Sequence, residues 1–128
     1  MANRNADTDL RQVRRLVALE RAGQLSDGQL LERYCVHNDE AAFEMLVRQH
    51  GPLVLGVCRR ALGHEQDAED VFQATFLLLA RKANTIRKQS SVGSWLFGAA
   101  YRLALKAKAA AMRQRRLERQ EAPCDRQA

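Results

Sequence analysis

The stretch Asp67-Ala68-Glu69-Asp70-Val71-Phe72-Gln73-Ala74-Thr75-Phe76-Leu77-Leu78-Leu79-Ala80-Arg81-Lys82-Ala83 decides how this chain folds. Successive residues of an α-helix advance by about 100°, and at that step Val71, Phe72, Thr75, Phe76, Leu78, Leu79 and Ala83 share one broad stripe. That stripe is core, and Asp67 is placed to cap the helix that carries it. Asp70, Gln73 and Leu77 recur at spacings of three and four on the opposite side. An acid, an amide and a leucine on one outer face suit a docking patch. They equally suit a solvated face with one stray leucine, and the pattern leaves both readings open. The acids Glu65, Asp67, Glu69 and Asp70 crowd the start of the helix, where its dipole favours negative charge. Their position therefore needs no functional cause.

Outward from this helix, the rest of the chain reads the same way. Strand-like alternation of β-branched residues is missing, and Ala, Leu, Arg, Glu and Gln dominate. A first helix is expected from about Asp9 to Ala22, stopped by Gly23, with Val13, Leu16 and Val17 spaced to face inward. Ser26 and Gln29 form the S-x-x-Q pattern of a capping box and open a short helix through Leu30, Leu31, Tyr34 and Cys35. Asp39 caps the next helix, whose inner positions are Phe43, Leu46, Val47, His50, Val54, Val57, Cys58 and Ala61. Its period continues through Gly51-Pro52. This predicts one long helix kinked at the proline, with two helices in line as the alternative. Gly63 ends it. Asn84 to Gly93 is expected as a loop, and Ser94 as the cap of a last helix from Trp95 to about Arg119. The result is an all-α chain: a compact bundle of about four core helices over 26–119, an N-terminal helical extension over 1–25, and a disordered tail over 120–128.

Composition narrows the function. The chain has 128 residues, 46% hydrophobic and 28% charged, as befits one soluble domain. No apolar run is long enough to span a membrane, and the first residues lack the apolar segment of a secretory signal. A cytoplasmic chain is expected. Cys35, Cys58 and Cys124 are widely spaced and form no CxxC pair, and His37, His50 and His64 are scattered. Neither metal nor cofactor is implied, and Cys35 and Cys58 read as small core residues. No nucleophile–base pair is visible either, so the chain is not read as an enzyme.

The net charge of +6 is informative only through its placement. Leu96, Ala99, Ala100, Leu103, Ala107 and Ala110 form the inner side of the last helix. Trp95, Arg102, Lys106 and Arg113 lie along the opposite side, flanked by Tyr101, Lys108, Arg115 and Arg116. Between Asp70 and Glu118 there is no acidic residue at all, while Arg81, Lys82, Arg87, Lys88, Arg102, Lys106 and Lys108 are positive. A solvated helix face ordinarily mixes signs for (i, i+4) pairing. A face that forgoes this pairing is suited to a polyanion, whose phosphates it neutralises with release of counterions. Trp95 and Tyr101 among the cations fit base stacking. A basic coat without a target stays open. A membrane-surface helix does not fit, because its apolar side is needed for the core.

These residues resemble a known family. Asp67-Ala68-Glu69-Asp70-Val71-Phe72-Gln73-Ala74-Thr75-Phe76 is similar to the D-A-E-D-x-x-Q-x-x-F signature of region 2 of sigma-70 factors, of the small extracytoplasmic-function kind. Ser94-Trp95-Leu96 with Ala99-Ala100-Tyr101-Arg102 resembles the second signature, W-L-x-x-I-A-R-N. The resemblance covers about Leu30 to Arg116. It implies that Asp67, Asp70, Gln73 and Leu77 contact a coiled coil of the polymerase β′ subunit. It further implies that the 84–93 loop and the last helix recognise and melt the promoter −10 element, holding an extruded non-template base. The matching DNA-binding candidates are Arg81, Lys82, Asn84, Arg87, Lys88, Ser91, Trp95, Tyr101, Arg102, Lys106, Lys108 and Arg113.

There are departures from the family pattern. Tyr101 and Arg102 stand where Arg-Asn is commoner, and Lys106 where Asp is frequent, which makes the helix more basic. Nothing after Arg119 would supply the helix-turn-helix that reads the −35 element. A truncated chain, a fragment of a split gene and a single-domain relative all fit that absence, and alone such a chain should hold promoters weakly. The expected partners are the polymerase core and the −10 non-template strand, with an anti-sigma factor as a further candidate. The alternative function is a regulatory module that binds polymerase or another factor without opening DNA.

Overall fold

The computed structural model describes residues 3–86 and 92–121. Among these are five α-helices and no strand: α1 (Asn3–Ala22), α2 (Asp27–His37), α3 (Glu40–Leu62), α4 (Glu65–Lys82) and α5 (Val92–Glu121), with a short 3-10 turn at Ala83–Thr85 after α4. The all-helical bundle expected from the sequence is the observed fold.

Local chemistry sets most of the boundaries. Ser26 Oγ accepts the Gln29 amide at 3.2 Å, and Gln29 Oε1 accepts the Ser26 amide at 2.9 Å, closing the capping box of α2. Asp39 accepts the amides of Ala41 and Ala42 at the start of α3. Asn38 (φ 53) and Gly63 (φ 66) end α2 and α3 in the left-handed region, where a short polar side chain or none is tolerated. α3 runs unbroken through Pro52, as the continuous period predicts. Pro52 is exposed, so the carbonyl that it cannot bond lies on the solvent side.

Two starts differ from expectation. α4 begins at Glu65 after His64, which makes no side-chain capping bond, and Asp67 lies inside its first turn. Three acids in or near that turn substitute for a cap by complementing the dipole. α5 begins by Val92, so Gly93 and Ser94 are helical and Ser94 caps nothing. The cause is burial: Val92 is 1% exposed in the core, whereas Ser94 faces solvent. The Asn84–Gly93 loop is correspondingly shorter, and residues 87–91 lie outside the described residues. The tail, from residue 122, also lies outside them.

The core joins α2, α3, α4 and α5 through Leu30, Leu46, Val54, Cys58, Thr75, Leu79, Leu96 and Ala104, each almost wholly buried. Truncating one of these leucines to Ala would cost about 2–5 kcal/mol. Thr75, the buried polar residue, donates its hydroxyl to the Val71 carbonyl at 2.7 Å and so needs no other partner. On α5, Ala104 is buried and Ala110 is exposed, reversing one expected position. Cys58 is buried and desolvation pushes its thiol up, but Cys35 lies on the exposed side of α2 and is not core. α1 packs by its C-terminal end, where Leu19 and Ala22 are buried and Arg15 pairs with Glu44 at 2.7 Å. Val13, Leu16 and Val17, expected to face inward, are exposed. The stripe is real, but among the described residues nothing buries it.

Candidate nucleic-acid interface

Side-chain placement separates the predicted site residues into three groups. The first lies on the outer face of α4. Asp70, Gln73 and Leu77 are all exposed, Leu77 at 67%. Gln66 donates to Asp70 Oδ1 at 3.1 Å, one turn earlier on the same face. Beside them Phe43, Val47, Phe72, Phe76, Leu77 and Ala80 line an almost wholly apolar groove of about 270 Å³ between α3 and α4. Sequence periodicity assigns Phe43, Val47, Phe72 and Phe76 to core and Leu77 to the outer face, and gives no signal for the groove itself, which arises only when the two helices meet. Asp67 is placed differently. It is half-buried, 3.7 Å from His64 Nδ1, and it shares a cleft with Leu62, Lys108, Met112 and Arg115 at the α4–α5 seam. The structure therefore does not bring Asp67 onto the Asp70–Leu77 face.

The second group is the basic face. Arg81, Lys82, Asn84, Tyr101, Arg102, Lys106, Lys108 and Arg113 are exposed. The described ion pairs join Arg15–Glu44, Arg33–Asp39, Arg48–Glu44, His50–Asp27, Arg59–Glu65 and His64–Asp67. Among the described residues none of them involves a cation of α5 or of the α4 C-terminus. Asp67 shares a cleft with Lys108 and Arg115 without an ion pair to either, and Arg102, Lys106 and Arg113 have none among the described residues. Trp95 departs from the expected outer stripe: it is half-buried and packs against the core, with Arg102 one face-repeat further along. The Arg102 guanidinium folds back along the helix, where a methyl built on Gly98 would lie 3.4 Å from Nη1. Arg87, Lys88 and Ser91 lie outside the described residues.

The third group is a cleft. Ser26, Gly28, Gln29, Leu31, Glu32 and Cys35 of α2 face Ala83, Asn84 and Ile86 across an open space of about 540 Å³. Small-molecule sites span about 300–1,000 Å³. Asn84, a predicted site residue, is on its rim, but the α2 wall was not foreseen. It comes from a helix some fifty residues earlier, a relation that no local pattern carries. His50 was likewise read only as an inner position. Its Nε2 lies 2.8 Å from Asp27 Oδ2, a tie between α3 and the first turn of α2. Among the described residues no group of His, Cys, Asp or Glu could hold a metal ion, and no described helix is long and apolar enough to cross a membrane.

The bundle thus joins the D-A-E-D…F helix to a cationic helix that carries no acidic residue from Val92 to Leu117. The chain belongs to the sigma-70 region 2 family, whose model matches residues 46–116. It is similar to the RNA polymerase sigma-H factor of Pseudomonas aeruginosa, at 34% identity over 74 residues, 58% of this chain and 38% of that protein. The chain thus spans less than half the length of that relative. No solved structure matches it. The sigma-70 region 2 family belongs to factors of transcription initiation, which are not enzymes.

Proposed function

We propose that this chain, through residues 26–119, docks on the RNA polymerase core by its α4 face and holds the opened non-template strand of a promoter −10 element along α5. In this reading Asp70, Gln73 and Leu77 meet the β′ coiled coil, and the apolar groove beside Leu77 takes a side chain from it. Arg81, Lys82, Arg102, Lys106 and Arg113 neutralise strand phosphates, Tyr101 offers a stacking surface, and the cleft at Asn84 and Ile86 receives an extruded base. Arg87, Lys88 and Ser91 complete the contact, and the chain works in the cytoplasm as a factor of the extracytoplasmic-function kind. Extruding a base costs a few kcal/mol, which stacking and phosphate contacts offset. The observation that supports this most directly is the cationic face of α5, whose Arg102, Lys106 and Arg113 have no ion pair among the described residues.

The test is salt-dependent binding. The chain is expected to retain single-stranded non-template −10 DNA in preference to the same sequence as duplex. Replacing Arg102 and Lys106 by Ala should lower the slope of log K against log salt by about 2. Equal binding to duplex and single strand, or an unchanged slope, would refute strand capture. A second reading, a module that binds polymerase without opening DNA, draws on the exposed stripe of Leu10, Val13, Leu16 and Val17 on α1, which offers a surface to an anti-sigma or other factor. Retention of polymerase with no affinity for either form of DNA would favour it.

A further inference from the structure

His50 is inward-facing yet polar, and it adjoins two elements at once. Its side chain is 17% exposed, and Nε2 lies 2.8 Å from Asp27 Oδ2. A carboxylate only accepts, so Nε2 carries the proton and donates. On the other side, a methyl built on Gly93 would lie 3.4 Å from His50 Cε1 and 3.7 Å from Nδ1, so the ring sits beside the first turn of α5, about one methyl group away from Gly93. Asp27 is the first residue of α2, in the turn stiffened by the capping box, and its neighbours Ser26, Gly28 and Gln29 form a wall of the cleft. Trp95 follows Gly93 by two residues. One imidazole therefore connects the α2 wall of the cleft to the turn from which the cationic helix departs.

We propose that His50 is a positioning residue, which fixes the α2 wall of the cleft relative to the first turn of α5 through its hydrogen bond to Asp27 and its place beside Gly93. The inference rests on the reading of cleft and α5 as one strand-binding surface. A ring bonded to Asp27 and set beside Gly93 adds to the packing of Val92, Leu96 and the alanines of α5 in holding that helix in place along α3. The same bond acting only as a prop for the fold would affect every property of the domain together. A positioning role affects the cleft side alone.

The experiment compares the 128-residue chain with His50→Ala, Asp27→Ala and His50→Gln, the last keeping an N–H donor at the place of Nε2. Trp95 is the single tryptophan, so its emission and acrylamide quenching report the first turn of α5 without any DNA. At unchanged helicity, both Ala variants are expected to shift the emission and raise quenching, with Gln restoring wild-type behaviour. Affinity for single-stranded −10 DNA should fall about three- to tenfold in the Ala variants, the equivalent of one hydrogen bond, with polymerase affinity retained. Unmoved fluorescence in the folded Ala variants would overturn the proposal, as would a Gln variant no better than Ala. So would a polymerase affinity that falls in step with DNA affinity, or altered fluorescence with intact strand binding. Failure of the wild-type chain to bind the strand would instead strike the proposed function, and the fluorescence comparison would still decide the role of His50 in placing α5.

Discussion

α3 and α5 pack on the same core and both expose cations, yet among the described ion pairs α3 joins two of its three arginines to acids, Arg60 being the exception, and α5 joins none. On α3, Arg48 reaches Glu44 at 3.3 Å, and Arg59 donates from Nε and Nη2 to the two oxygens of Glu65 at 3.0–3.2 Å. The hydrogen bond and charge of Glu65 push the Arg59 guanidinium further up in pKa. On α5, Arg102, Lys106, Lys108 and Arg113 have no ion pair among the described residues. The number of basic residues on a helix therefore says little about its job. Whether an acid stands within a turn of each one says much more.

This contrast is open to direct attack. The largest effect is expected from Arg102→Glu with Lys106→Glu, which should cut affinity for single-stranded −10 DNA by about 100-fold or more at low salt. Polymerase binding, measured in a pull-down or by anisotropy, should be spared. Next come Asp70→Arg and Gln73→Ala on α4, expected to weaken polymerase binding at least about tenfold, as interface hot spots do, without altering strand binding. Should both sets lose both activities while still folded, the division into two faces is wrong. The smallest effect belongs to the paired helix. Arg59→Ala should change unfolding free energy by less than about 1 kcal/mol, because exposed pairs contribute little, and should leave DNA binding untouched. A drop in strand affinity with Arg59→Ala would erase the distinction between the two helices.

How much of this was readable beforehand depended on whether the cause was local. The Ser26–Gln29 box and the Asp39 cap are contacts over two or three residues, so their spelling announces them. The unpaired face of α5 was legible for the same reason, since an acid-free tract cannot pair within itself. Asp67 and Ser94 have the chemistry of caps, but packing set the helix starts three residues earlier, at Glu65 and by Val92. Periodicity shows that Val13, Leu16 and Val17 share a stripe, and cannot show whether anything covers it. Cys35 was lost in the same way. The cleft and the His50–Asp27 tie join residues far apart in sequence, and only the assembled bundle brings them together.

The length of α5 carries one more consequence. Its last wholly buried residue is Ala104, Ala107 and Ala111 are half-covered, and every described side chain from Met112 to Gln120 is exposed. Arg115 still lines the seam with Leu62 and Asp67, and the last six described residues, about 9 Å of helix, extend beyond it with no described side chain buried. That end is held by intrinsic propensity and by one long Gln114–Glu118 contact at 3.4 Å. Unsupported turns exchange their amides fastest in any protein, so this overhang is the part of the molecule whose order is set by whatever lies against it. Arg116 and Arg119 stand on it, and any anion that gathers them also winds the helix tighter.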